Sequence, residues 1–375
     1  MTRETDFEIF LAVVPGLEPT LCAELSEKGF AAPRPEPGGV TIQGGWPDVW
    51  RANLEIRGAS RILARIDAFR VVHLSQLDKL AHRVDWKGLL RPDVPVRVEA
   101  SCRRSKIYHA GAAAERVSKA IEAVCGAPVN DEAALCVRVR IEDNLCTLSV
   151  DTSGELLHRR GFKAEVNKAP MRETLAALFL REAGFDGVEP VLDPMCGSGT
   201  FVIEAAEMGA GLLPGRGRAF AFELLAGFDA RAWRVMKAER SEQAATARSE
   251  TRCFGSDRDA GAIRMSRTNA ERAGVAAMTA FDITPVKELS CPAEAPGLVI
   301  ANPPYGARIG NKKSLYAVYG ALGDALRMRF SGWRAAIVTT DPALARATRL
   351  PFEPPGRPVD HGGLKIRLYT TGPLR

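Results

Sequence analysis

The 375-residue sequence lacks the features that would place it in a specialised class. No apolar run approaches the roughly 20 residues needed to cross a bilayer, so no membrane role is expected. Phe7–Val14 is apolar but short, is interrupted by Glu8, and is followed by no cleavage-site pattern. It reads as a strand rather than an export signal, which points to a cytoplasmic protein. The eight cysteines, at 22, 102, 125, 136, 146, 196, 253 and 291, form no CxxC pair and show no metal-ligand spacing. They are expected to be reduced, mostly structural thiols, and no metal is expected. Charge of one sign is scarce too. The net charge is +6, with residues 1–160 balanced at 22 basic against 22 acidic and the remainder at 29 against 23. That excess is too small to establish a nucleic-acid binder, so local clusters must decide. There is no internal repeat and no extended low-complexity tract.

The periodicities indicate three regions. In the first, Phe7–Val14, Val40–Gln43 and the alternating Ile62, Ala64, Ile66 and Ala68 are predicted strands. Leu17, Leu21 and Leu25 mark a helical face, Asp48–Leu54 is a second helix, and the proline-rich Ala31–Gly39 is a predicted loop. These suggest a small antiparallel sheet with helices on one face. In the second region Val94, Val96 and Val98 alternate as a strand, and Ala113, Val117, Ile121 and Val124 have helical spacing. Val137–Ile141 and Cys146–Val150 flank Asp143-Asn144 as a hairpin. In the third, short buried strands alternate with helices: helix Met171–Ala183, strand Val191–Asp193, helix Thr200–Met208, and strands ending at Asp257, near Ala301 and at Thr340. Such alternation implies an α/β domain with a mainly parallel sheet covered on both faces. Lys237–Thr251 is charged and alanine-rich, an expected exposed helix with a mobile end.

Between a predicted strand and a predicted helix lies Asp193-Pro194-Met195-Cys196-Gly197-Ser198-Gly199-Thr200. Glycines there let a ligand approach the backbone where a Cβ would collide. A glycine turn alone also serves nucleotides, flavins or no ligand at all. Two later acids sharpen the reading. Asp257, at a strand end, is placed to accept from ribose hydroxyls, the alternative being a helix cap for the segment beginning near Ala260. Asp282, at another strand end, is placed to accept from an adenine amino group, the alternative being an ordinary loop residue.

Asn302-Pro303-Pro304-Tyr305 directly follows the buried strand Leu298–Ala301 and is the most informative segment. An amino group on a nucleobase or amide is a poor nucleophile because its lone pair is delocalised. The Asn302 side-chain oxygen and the next carbonyl can accept its protons, orienting the nitrogen and stabilising positive charge as a methyl group arrives. Pro303 and Pro304 rigidify those acceptors, and Tyr305 can stack on a flat target. A polar strand-to-loop turn is the bland alternative. A covalent cysteine mechanism would want a thiol where Pro304 stands. Cys196 and Cys291 lie elsewhere, which favours direct transfer from a sulfonium.

With these motifs the chain resembles the THUMP-domain-containing RNA methyltransferases, most nearly bacterial large-subunit ribosomal RNA guanine-N2 methyltransferases of the form with a single methyltransferase domain. The resemblance rests on Asp151-Thr152-Ser153-Gly154, Leu157-His158-Arg159-Arg160-Gly161, Ala169–Leu175, Leu192–Thr200 and Asn302–Gly306. It implies a ferredoxin-like domain over 1–68, a THUMP RNA-binding domain over 69–155 and a Rossmann-like methyltransferase domain over 156–375. It also implies S-adenosylmethionine as cofactor and N2-methylation of a guanine in 23S ribosomal RNA, with tRNA as the alternative substrate. Protein glutamine and DNA adenine are more distant options that leave the first 155 residues unexplained.

The resemblance further places Pro170, Arg172, Glu173 and Thr174 at the methionine end of the cofactor pocket. Two departures stand out: Met195 occupies a position often held by glycine, and 64 residues separate Asp193 from Asp257. An insertion around Gly211–Arg252 must account for the second. For RNA, Arg103, Arg104 and Lys106 are candidate phosphate contacts and Tyr108 a stacking platform, against the alternative of a solvated loop. Arg216, Arg218, Arg308, Lys312 and Lys313 are further candidates for guiding the target strand.

Overall fold

The computed structural model describes residues 6–162, 171–246, 252–305 and 312–375, with the side chains of residues 245, 246 and 312 outside the description. The chain packs into two compact units. Among the described residues, those within 1–13, 22–157 and 218–238 form one, and those within 14–21, 158–217 and 239–375 form the other.

The first unit is built on one sheet. Its strands are β1 (Phe7–Ala12), β2 (Arg34–Glu36), β3 (Gly39–Gly44), β4 (Arg61–Arg70), β5 (Val96–Arg103), β6 (Leu135–Glu142) and β7 (Leu145–Asp151), in the order β2-β3-β1-β4-β7-β6-β5. The antiparallel pairing expected of the first region is present, and so is the β6–β7 hairpin. Asp143 and Asn144 turn that hairpin at φ +51° and +64°, the geometry that matches strand twist in a two-residue turn. Three features were not part of the sequence reading. The segment expected to be a loop contains β2, which pairs with β3 along Arg34–Glu36. β5 runs parallel to β6. The regions 1–68 and 69–155 share one continuous sheet through β4 and β7.

Helices α1 (Glu18–Glu27), α2 (Trp46–Glu55), α3 (Leu74–Ala81), α4 (Trp86–Leu89) and α5 (Ala110–Cys125) punctuate these strands. A buried polar knot fastens α2 to the β4–β7 pair. Asn53 Nδ2 donates to Thr152 Oγ1 at 3.0 Å, Ser153 Oγ donates to Asn53 Oδ1 at 2.7 Å, and the Ile62 N–H donates to Ser153 Oγ at 2.9 Å. Arg61 pairs with the fully buried Asp151. The Asp151–Gly154 run therefore satisfies buried backbone and side-chain groups that would otherwise be costly.

Residues 218–238 belong to this unit by an aromatic cluster. Phe222 stacks near Trp50 at 6.1 Å between centroids and meets Trp233 edge-on at 5.2 Å, and Phe220 and Phe228 complete the group. The Phe222 N–H donates to Thr152 O and the Ala226 N–H to Leu89 O. The expected insertion thus supplies core to the N-terminal sheet. Its helix, α8 (Ala230–Thr246), starts earlier than the charged stretch indicated, and residues 247–251 lie outside the described residues.

The second unit contains α6 (Glu173–Glu182), β8 (Val191–Asp193), α7 (Thr200–Gly209), β9 (Cys253–Asp257), α9 (Ala260–Ala273), β10 (Thr279–Ile283), β11 (Leu298–Ala301), α10 (Lys312–Arg329), β12 (Arg334–Thr339), α11 (Pro342–Ala347), β13 (Val359–His361) and β14 (Leu364–Thr370). The sheet order is β10-β9-β8-β11-β12-β14-β13, parallel from β10 to β12, with β14 antiparallel to both of its neighbours. The chain leaves β8 for β9 and β10 on one side, then returns to β11 on the other. The strand order reverses beside β8, and the crevice beyond the strand ends at such a reversal is where open α/β sheets bind ligands.

Phe222→Ala removes a fully buried ring from the centre of the aromatic cluster. It is expected to cost about 3–5 kcal/mol, read as a lowered denaturant midpoint, while the exposed Val235→Ala control in the same segment changes little.

Candidate active site

The turn after β8 is shaped by hydrogen bonds from three neighbouring elements. Asp193 Oδ1 accepts the Met195 N–H at 3.0 Å and the Gly199 N–H donates to Cys196 O at 2.8 Å. From α9, Ser266 Oγ donates to Gly197 O at 2.9 Å and Asn269 Nδ2 to Ser198 O at 3.2 Å. From β9, the carboxylate of Asp257 accepts the Gly197 N–H at 3.1 Å. Gly197 and Gly199 have φ of +55° and +83°. A Cβ on Gly199 would lie 3.0 Å from Ser266 Oγ, whereas one on Gly197 would meet open space among the described residues. Ser198 and Thr200 are buried. Met195 packs against the core that includes Val299 and Tyr319, so the first position of the turn is a packing position and does not require glycine.

Asp257 reaches this turn despite the 64-residue interval because β9 lies directly beside β8, with Asp193 opposite Gly255. The helix-cap alternative belongs to its neighbour: Asp259 caps α9 by accepting the Gly261 N–H at 2.7 Å, while the other Asp257 oxygen accepts the Asp259 N–H at 3.0 Å. Asp282 is exposed at the end of β10, in register with Ser256. Ile283 follows it, 58% exposed and opposite Asp257.

On the other side of β8, β11 pairs as Leu298 with Val191 and Val299 with Leu192. Asn302 therefore emerges beside the glycine turn. Its Oδ1 is buried and has no hydrogen-bond partner among the described residues. A buried amide oxygen without a donor is costly, and such atoms cluster where a ligand completes the bonding. Pro303 is buried and Pro304 half-buried. Tyr305 packs against the core that holds Leu315 and Tyr319, and burial pushes its phenol up to about 12. Part of its ring thus serves the fold, a role the stacking expectation did not include. Gly306 lies outside the described residues.

Glu173 and Thr174, in the first turn of α6, are buried, whereas Arg172 at the N-cap is exposed. Glu173 shares the lining of a small cavity with Phe162, Thr200, Glu204 and Asn269, so α6 and the glycine turn do meet. Pro170 falls outside the described residues. Sequence reasoning missed Ser266 and Asn269, whose signal is visible in hindsight: they interrupt the otherwise apolar buried face Ala262, Ile263, Ala270 and Ala273. It also missed the buried Arg160–Glu204 pair at 3.3 Å, which no periodicity announces. Burial pushes the Cys196 thiol well above its ordinary value, keeping it protonated and unsuited to covalent attack.

Two arginines read as strand guides have internal duties instead. Arg216 pairs with the buried Glu207 and donates to Ala273 O at 2.7 Å. Arg218 donates to the carbonyls of Ser153, Glu155 and Leu156. Arg308 and the Lys312 side chain lie outside the described residues, and Lys313 is exposed. In the first unit, Arg103, Arg104 and Lys106 are exposed at the end of β5, and Tyr108 is 85% exposed. Arg104 binds Glu142 at 2.7 Å and Asp143 at 3.1 Å, which docks this loop on the β6–β7 turn. Its charge is therefore partly spent on the fold.

Burial pushes the Asp193 carboxyl from 3.8 up to about 8. The folded chain therefore keeps a proton that the unfolded chain releases near pH 4, and stability falls as pH rises from about 4 to about 8. Asp193→Asn is expected to flatten that slope in thermal unfolding scans. Gly199→Ala combines a positive φ with a tight contact at Ser266, and is expected to lower both stability and donor affinity, read by unfolding and calorimetry.

Residues 160–353 match the RMKL-like methyltransferase domain family, and residues 8–63 match the RlmL ferredoxin-like domain. The ribosomal RNA large subunit methyltransferase K/L of Syntrophotalea carbinolica is 37% identical over 90% of this chain and 50% of its own length, so the chain spans about half of that relative. The Synechocystis sp. protein slr0064 is 30% identical over 96% of this chain and 95% of its own. The crystal structure of SMU.472 complexed with SAH superposes with a TM-score of 0.89 at 25% identity, covering 99% of both chains. With a family match over more than half its length and a relative aligned nearly end to end, the chain belongs to the RMKL-like methyltransferases.

Proposed function

We propose that this protein uses S-adenosylmethionine to methylate the N2 amino group of a guanine in large-subunit ribosomal RNA. The observation that carries the reading is the buried Asn302 Oδ1 at the end of β11, beside the glycine turn, which has no hydrogen-bond partner among the described residues. The residues fit the cofactor. Among the described residues Gly197 leaves open space in front of the turn, the carboxylates of Asp257 and Asp282 stand at the ends of adjacent strands as acceptors for ribose and adenine groups, and Ile283, opposite Asp257, offers an exposed apolar surface. Glu173 and Thr174 are the counterparts for the methionine end, and SMU.472 was crystallised with the demethylated product of such a donor.

When bound, the cofactor supplies an electrophilic methyl group on a sulfonium. Asn302 Oδ1 and the Pro303 carbonyl accept the two N–H groups of the target amine and hold its nitrogen in line with the incoming methyl. Both acceptors sit on a segment that two prolines stiffen, so little reorganisation accompanies the charge that develops on nitrogen. A base that enters such a site leaves its helix, and Tyr305 offers it the exposed part of a ring. Arg103, Lys106 and Tyr108 supply phosphate and stacking contacts from the first unit. The K/L relatives are named for large-subunit ribosomal RNA, which favours that substrate over tRNA.

Asn302→Ala is expected to lower turnover by about 10²–10³-fold while donor binding by calorimetry stays near wild type. Radiolabelled methyl transfer to hypomodified ribosomal RNA and tRNA, followed by nucleoside identification, tests the substrate. N2-methylguanosine in the 23S fraction is the expected product, and a methylated tRNA beside unmodified 23S RNA would reverse the choice.

A further inference from the structure

The edge of the sheet that carries Asn302 carries one more element that faces solvent. β14 runs antiparallel to β12, with Thr339 opposite Arg367, so the β13–β14 turn lies at the same edge as the ends of β8 and β11. Leu364 is three residues beyond Arg367, which carries the turn about 10 Å past the end of β12 at the usual strand rise of about 3.3 Å per residue. Gly362 and Gly363 make the turn at φ +57° and +81°, and a Cβ on either would meet open space among the described residues. Leu364 is 46% exposed. Burial and then the Arg172 guanidinium at the N-cap of α6 hold His361 below its ordinary value, which favours the neutral ring. From Arg357 to Arg367 there are three cations, Arg357, Lys365 and Arg367, against Asp360, which pairs with Lys365 at 2.7 Å.

We propose that the tip of this hairpin, His361 to Lys365, is a substrate-positioning element that lies against the RNA strand flanking the target base. The neutral imidazole and Leu364 offer stacking and apolar surface to an unpaired nucleotide, and the basic flank offers phosphate contacts. The occupant is RNA because the Arg357–Arg367 segment carries three cations against the single acid Asp360, and because its turn lies at the end of the sheet where the amine must be presented. The inference rests on the RNA reading above.

The test compares wild type with Lys365→Glu, His361→Ala and their combination, using hypomodified ribosomal RNA as substrate. The combined variant is expected to raise KM for RNA about tenfold with kcat within about twofold. Donor affinity by calorimetry stays unchanged, which also reports that the site is folded, and Lys365→Arg keeps the wild-type KM. An unchanged KM in the combined variant, with active wild type, overturns the hairpin's role alone. Loss of donor affinity also overturns it, assigning the hairpin to the cofactor pocket. Wild-type protein that methylates no RNA overturns the functional reading and this inference together.

Discussion

The turn from Asp193 to Thr200 is buried among strand ends, and backbone buried there needs partners for its polar groups. Asp257 from β9 and Ser266 from α9 bond the N–H and the carbonyl of Gly197, and Asn269 from α9 bonds the carbonyl of Ser198. Those bonds exist only because β9 lies beside β8 and α9 packs over the turn. The same parallel arrangement sets β11 on the opposite flank and delivers Asn302 to the crevice. Remove the adjacency of these three strands and neither the turn nor the acceptor has a defined position.

The first unit solves a different problem. Its sheet joins two regions of sequence through the β4–β7 pair, and the junction is secured by a polar knot of Asn53, Thr152 and Ser153 and the buried Arg61–Asp151 pair. Half-satisfied, such a knot would be worse than an apolar contact, so each donor and acceptor has to be in register. The aromatic segment around Phe222 adds core from far along the chain. A piece of sequence lying between β8 and β9 therefore belongs to the N-terminal unit, and an excised methyltransferase region would carry exposed Phe220, Phe222 and Trp233.

Much of this was legible in sequence because the relevant forces are local. Leu17, Leu21 and Leu25 share a helical face and are all buried, and the Asp143-Asn144 turn is dictated by two residues that tolerate left-handed backbone. Asn302–Tyr305 was legible because proline, asparagine and tyrosine have few uses in combination at a strand end. β2 was hidden by its prolines, which suggest a loop, yet an edge strand tolerates them where no ladder donor is needed. β14 carries an alternating signature of its own, Leu364, Ile366 and Leu368 separated by Lys365 and Arg367, and was legible though not read.

What the amino-acid sequence determined by itself was the set of candidate groups: a glycine turn, acids at strand ends and an amide oxygen on a rigid segment, each set by residue identity and short-range geometry. Only the tertiary structure decided which of these act together. Asp257 was assigned to the turn across its long insertion by strand pairing, Arg216 and Arg218 were withdrawn to internal contacts, and Ser266 and Asn269 entered the site. The physical reason is that hydrogen-bond partners and buried charges are chosen by distance in space. Strand order and helix packing bring about those distances between residues that no spacing along the chain relates.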